Sequence, residues 1–237
     1  MKRYAVYFAP EPGSQLERFG AEWLGRDARS GEAVAQIACP AIGAERLLAL
    51  TAAPREYGFH ATLKPPFALA AGRRLDELEN AFVAFARECT AFYAPPLELA
   101  EVGRFLALVP SAPCPELDAL AERAVRFFDA FRAAPSHAEL VRRRHASLDA
   151  RESELLDAWG YPYVLDRWRF HLTLTERLDS SERTLLRAAL EPMVAPLCRT
   201  ELRIDAVTLF VQPGIDEPFR EHARFVFGHA GGVMEAR

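Results

Sequence analysis

Two stretches of this chain hold the residue types that acid–base chemistry needs, in one repeated pattern. Residues 57–67 read YGFHATLKPPF and residues 168–178 read WRFHLTLTERL. Each runs Phe, His, a spacer, Thr, Leu, centred on His60 and His171. Side chains along a strand alternate between its two faces. That alternation puts His60, Thr62 and Lys64 on one face, opposite Phe59, Ala61 and Leu63. It likewise sets His171, Thr173 and Thr175 against Phe170, Leu172 and Leu174. An imidazole, with an ordinary pKa of about 6.5, can take or give a proton at neutral pH. Two of them on opposite sides of one pocket suit in-line displacement at phosphorus. One deprotonates the nucleophile while the other protonates the leaving oxygen. Thr62, Thr173 and Lys64 would hold the non-bridging oxygens and their charge. This chemistry needs no metal and no cofactor, and neither histidine has a partner at a ligand spacing such as H-x-x-x-H.

The elements around the two stretches repeat as well. Each motif precedes a helical pattern and then a strand pattern: LELAEVGRFLAL after the first, LRIDAVTLFVQ after the second. Leu97, Leu99, Val102 and Phe105 match Leu202, Ile204, Val207 and Phe210 at an offset of 105, and the histidines are offset by 111. The expected fold class is α+β: two pseudo-symmetric lobes, each an antiparallel sheet with helices outside, around a central cleft. The chain reads as one bilobal domain. One lobe is built around 57–110, the other around 167–228, with 115–159 as a helical insertion carrying RRRH at 142–145. Strands are expected at 3–9, 58–64, 97–110, 167–175, 202–212 and 222–228. The first motif strand should stop at Pro65 and Pro66, since proline cannot donate to a sheet ladder. Helices are expected at 14–26, 43–52, 75–92, 115–134, 136–159 and 180–196, with Ser180 or Ser181 as cap of the last.

The whole chain narrows the function classes. It has 237 residues, half of them hydrophobic, enough for a substantial core. The formal charge of −4 speaks against a protein that coats long DNA, which needs many cations. A small phosphorylated substrate or a short RNA end needs only a local positive patch. No apolar run reaches the ~20 residues of a membrane span, and the N-terminal MKRYAVYFAPEPG reads as a strand and not a leader. The expected compartment is the cytoplasm. Cys39, Cys89, Cys114 and Cys198 are scattered, with no C-x-x-C pair. There is no Walker loop, no G-x-S-x-G and no G-x-G-x-x-G.

The paired F-H-x-T-L motifs and their repeated setting resemble the 2H phosphoesterase superfamily, whose members carry two H-x-[ST]-x motifs on symmetric lobes facing a shared cleft. The stretches RYAVYFAP, YGFHATLKPPF, FLALVP, WRFHLTLTERL and LFVQPGIDEPF are most similar to one bacterial branch. That branch is found with phosphonate-degradation operons and described only as phosphonate-metabolism proteins. The resemblance runs from residue 3 to about residue 228. It implies that His60 and His171 are the acid/base pair and that Thr62 and Thr173 bind phosphate. Superfamily activities include cyclic phosphodiesterases, RNA-end processing and 2′-5′ ligation. The phosphonate association implies a ribose-phosphate ester as substrate.

Three functions follow as expectations. One is a metal-independent hydrolase of a small ribose or nucleotide cyclic phosphate. The second is an RNA-end 2′,3′-cyclic phosphodiesterase or 2′-5′ ligase, which RRRH would serve. The third is a binding protein that holds a phosphorylated ligand without turning it over. Further substrate-contact candidates come from position alone. Tyr7, or Tyr4, borders the cleft or fills a core. Arg104 reaches a phosphate or lies on the surface. Phe219, after Gln212, stacks on a base or sugar or packs inside. His222 reads as a surface or loop residue.

Overall fold

The computed structural model describes residues 1–135 and 148–228. The basic RRRH stretch, with His137, His145 and His229, lies outside the described residues. The chain opens with strand β1 (Arg3–Phe8), helix α1 (Gln15–Leu24), helices α2 (Ala44–Leu50) and α3 (Ala52–Tyr57), and strand β2 (Ala61–Phe67). Helix α4 (Leu75–Arg87) leads to β3 (Phe92–Ala94), β4 (Leu97–Val102) and β5 (Phe105–Pro110). Then come α5 (Pro115–Phe128), α6 (Ala150–Trp159), β6 (Leu172–Thr173), α7 (Ser180–Val194), β7 (Leu202–Ile204), β8 (Ala206–Gln212) and β9 (Arg220–Val226).

The strands form antiparallel sheets in the orders β2-β1-β8-β9, β4-β5-β6 and β3-β7. The grouping differs from the lobes read along the chain. The first motif strand, β2, shares its sheet with β8 and β9 from the far end of the chain, while β4 and β5 pair with the second motif strand, β6. Strands β4 and β5, after the first motif, therefore complete the sheet of the second, and β8 and β9, after the second, complete that of the first. Both motif strands stand at sheet edges. Two tryptophans tie the parts together. Trp168 Nε1 donates to the Thr62 carbonyl at 2.6 Å, and Trp23 Nε1 donates to the Leu174 carbonyl at 2.8 Å.

The two faces of β1 separate two cores. Tyr4, Val6 and Phe8 join the main apolar cluster with Leu78, Phe82 and Phe85 of α4, whereas Ala5, Tyr7 and Ala9 pack with Phe210 and Phe219. Ser14 caps α1 by accepting from the Glu17 amide. The cap of α7 is Asp179, one residue before the expected serines, and Ser181 instead hydrogen-bonds the Asp179 carboxylate at 2.8 Å. Pro54 sits inside the first turn of α3, where its missing N–H costs little. The strand through Pro65 and Pro66 does not stop there. As an edge strand, β2 has one side free of ladder bonds, so it tolerates both prolines at a register irregularity.

The second motif strand is much shorter than the expected 167–175. After the Leu174 amide donates to the Leu106 carbonyl at 2.9 Å, the ladder passes to a side chain: the Leu106 amide donates to Thr175 Oγ1 at 3.0 Å. Thr175 is therefore buried rather than part of the polar row. Gly20 seats the first motif. A Cβ on Gly20 would lie 2.1 Å from the Phe59 ring, next to His60. Gly20→Ala is expected to cost about 1–3 kcal/mol as overpacking, measured by urea unfolding, and to lower turnover by displacing the Phe59–His60 segment.

Candidate active site

The two histidines are held by the same local device. His60 Nδ1 lies 2.9 Å from the Gly58 carbonyl, and His171 Nδ1 lies 2.8 Å from the Arg169 carbonyl. In each case the partner is two residues back. A carbonyl only accepts, so both Nδ1 atoms carry the proton and Nε2 holds the lone pair of each neutral ring, at His60 accepting from the Thr62 hydroxyl. At His60 the device depends on glycine. Gly58 has φ 78° and ψ 172°, a conformation in which a Cβ would also meet the Ala28 methyl at 2.4 Å. His60 Nε2 faces the Thr62 hydroxyl at 3.1 Å.

Each ring has an apolar support. Tyr7 stacks on His60 with centroids 3.7 Å apart and planes 20° apart, backed by Phe210 at 5.0 Å from Tyr7. Tyr7 and Thr62 are register partners, so they share one face of the sheet. On the other side Phe105 lies 5.7 Å from His171. Thr173 pairs with Ala107, which pairs with Ala100. Ala100, Val102 and Val109, on that same face, line a groove of about 660 Å³ walled by Trp168 and Phe170. Neither His171 nor Thr173 is among the residues that line this groove.

Burial lowers both histidine pKa values, and the His60 value falls from 6.5 to about 4. Lost hydration is the main cause at each ring. The carbonyl partners work the other way, and the charge of His171 adds to the depression at His60. The charge of His171 is thus felt at His60.

Other candidates fall elsewhere. Lys64 leaves the polar row. The register of β1 against β2 shifts between Tyr7–Thr62 and Val6–Lys64, a bulge that turns Lys64 to the side of Val6 and the main core. Its side chain is 2% exposed, and its ammonium bonds Asp129 at 3.0 Å and the Val125 carbonyl at 3.1 Å. Arg104 lies in the turn between β4 and β5, not in a strand, with an exposed side chain. Phe219 is buried and stacks on Tyr57 at 5.2 Å, leaving no free face for a base. Tyr4 belongs to the main core. His222 pairs with Glu79 at 2.6 Å. The cysteines are free thiols. Sequence reasoning passed over Tyr57, Phe105 and Phe210, because aromatic residues in apolar strands read as core. Their signal was adjacency: Tyr57 precedes the first motif by two residues, and Phe105 begins the strand beside the second.

A family model described as "Protein of unknown function (DUF1045)" matches residues 62–220, a span holding Thr62, His171 and Thr173. The chain belongs to the DUF1045 family. Among curated proteins, this DUF1045 chain is 39% identical over 235 residues to a protein of Janthinobacterium sp. (strain Marseille), covering 98% of the chain and 52% of that protein. A protein of Laribacter hongkongensis (strain HLHK9) is 37% identical over 224 residues, covering 92% and 50% respectively. Both bear the name ribose 1,5-bisphosphate phosphokinase PhnN. The chain spans about half the length of these curated relatives. Among solved structures, E. coli LigT complexed with 3′-AMP aligns over 96% of this chain and 99% of that one, at 12% identity and a TM-score of 0.46. A conserved protein of unknown function from Agrobacterium tumefaciens aligns over 96% of this chain and 86% of that one, at 12% identity and a TM-score of 0.43. Likenesses this loose carry no argument about chemistry. Among the described residues no helix is long and apolar enough to cross a membrane.

Proposed function

We propose that this chain hydrolyses a small cyclic phosphodiester of ribose by general acid–base catalysis, with His60 as base and His171 as acid. The observation that carries this reading is the matched pair of imidazoles. Each is pinned through Nδ1 to the carbonyl two residues back, and each offers Nε2. Water attacks phosphorus as His60 Nε2 takes its proton. One ring P–O bond breaks, and His171 Nε2 protonates the departing oxygen. The cyclic diester and one water become a phosphomonoester with a free hydroxyl, and a net proton transfer resets both rings. Thr62 and Thr173, one on each motif strand, are the candidate donors to the non-bridging oxygens.

Electrostatics supports this assignment of roles. His171 takes the first proton, and its charge then helps to hold His60 neutral, as a base must be. Because both values lie below 6.5, kcat/KM is expected to peak on the acid side of pH 6.5, with its acid limb near pH 4 where His60 protonates. A pH–rate profile that peaks at 7.5 or above contradicts the assignment.

The relatives' name supports ribose phosphate as the substrate class. A phosphokinase needs a cradle for nucleotide phosphates, and this sequence has no G-x-x-x-x-G-K-[ST]. Opening a 1,2-cyclic phosphate on ribose 5-phosphate would yield ribose 1,5-bisphosphate, the compound in that name. The test is purified protein with such a cyclic phosphate in EDTA, followed by ³¹P NMR. The cyclic signal should give way to a monoester. A cyclic signal that persists, with or without added metal, removes the proposal.

A further inference from the structure

We infer that Arg3 anchors a second, non-reacting phosphomonoester of the substrate, the group carried on the carbon of the ribose farthest from the cyclic ester. This rests on the ribose cyclic phosphate reading. The observation is a guanidinium prepared for an anion that the chain itself does not supply. Arg3 begins β1, opposite Gln212 of β8 and four residues from Tyr7, on the same face of the sheet. Its Nε donates to Gln212 Oε1 at 2.5 Å. The Gln212 amide is itself oriented, since its nitrogen donates to the Glu217 carbonyl at 2.7 Å. The Arg3 guanidinium carbon lies 5.3 Å from the Phe219 ring centroid.

A planar guanidinium held by its Nε keeps two terminal nitrogens in a fork, the geometry that matches two phosphate oxygens. Among the described residues no carboxylate pairs with Arg3, unlike Arg29, Arg46 or Arg224. Partial burial on an aromatic face makes its charge more effective than one in open water. A row of packed rings links Arg3 to the reacting centre. The Phe219 ring is 6.3 Å from Tyr7, and Tyr7 lies 3.7 Å from His60. The positive charge of Arg3 is also felt at the Tyr7 hydroxyl. One ring thus separates the guanidinium from the aromatic floor of the first histidine, a gap that a sugar phosphorylated at both ends bridges.

The test compares two ribose cyclic phosphates, one with a 5-hydroxyl and one with a 5-phosphomonoester. The wild-type protein should favour the phosphorylated one by ~10-fold or more in kcat/KM, mostly through KM. Arg3→Gln should erase that preference. Arg3→Lys should restore only part of it, because a point charge does not fork. Equal use of the two substrates by the wild-type protein overturns the inference while leaving the proposed reaction standing. So does an Arg3→Gln variant that loses both substrates in the same proportion. If neither substrate is turned over, the proposed reaction fails and calorimetric titration with ribose 5-phosphate decides on Arg3. Binding at least ~10-fold weaker in Arg3→Gln supports the anchor, and equal affinity overturns it.

Discussion

Replacing either His60 or His171 by alanine is expected to lower kcat on a ribose cyclic phosphate by ~10²–10⁴-fold. Each ring supplies one proton transfer in the same displacement, so neither can cover for the other. The double variant should lose little more than the worse single one, because residues that act as a unit are not additive. The two variants should differ in pH response. Without His60 the limb near pH 4 disappears from the profile, since that ring must be neutral to act. Without His171 the basic limb goes, since that ring must be protonated. A binding protein with a merely structural histidine pair would show neither change. Ligand affinity gives the same separation, because phosphate binding also uses the threonines. Turnover by either variant at the wild-type rate ends the two-histidine mechanism.

Asp129→Ala is expected to destabilise the fold by about 3 kcal/mol at pH 7. That is the lower end of the range for breaking a buried pair, since the Asp129 side chain keeps 27% of its surface in water. Loss of hydration already pulls the Lys64 pKa from 10.5 to about 8, against the pull of Asp129, which favours the charged form. Removing the carboxylate leaves the ammonium with the Val125 carbonyl and pushes its pKa down further. The sign of the pH effect follows. The unfolded chain holds this proton up to about pH 10.5 and the folded one only to about 8, so this group's contribution makes the protein more stable as pH rises through that window. In the variant the same recovery starts at lower pH. The stability gap to wild type, measured by urea unfolding at pH 7 and pH 9, should therefore shrink at the higher value. Lys64→Met should be mild in comparison. It removes a costly buried charge and leaves Asp129 with Arg132, whose guanidinium donates to it at 2.7 and 3.2 Å. Turnover in Lys64→Met should stay within about twofold of wild type. A hundredfold loss would put Lys64 back among the phosphate ligands.

Much of the candidate site can be read from residue types and spacing. His60 with Thr62, and His171 with Thr173, could be picked out because period-two alternation is a local property of the backbone. The chain order of helices and strands was legible too, since a helix cap such as Ser14 and an apolar stripe such as Leu78, Phe82 and Phe85 act within a few residues. Asp179 in place of the expected serine cap shows the margin: adjacent residues of similar capping strength cannot be ranked by type alone.

What lay beyond the sequence depends on partners distant along the chain. Alternation put Lys64 in the polar row. A bulge in the pairing of β2 with β1, and a carboxylate 65 residues further on, turned it into the core. Repetition grouped 57–110 as one lobe, while the pairing of β1 with β8 and of β5 with β6 exchanged the strands between the sheets. Arg3 reads as an ordinary charge at the start of a strand until Gln212, 209 positions away, clamps it against Phe219. Local sequence therefore determined which residues carry reactive groups and which way an isolated strand would aim them. Only long-range pairing decided which of those groups meet, because register and bulges are set by the energy of both strands together.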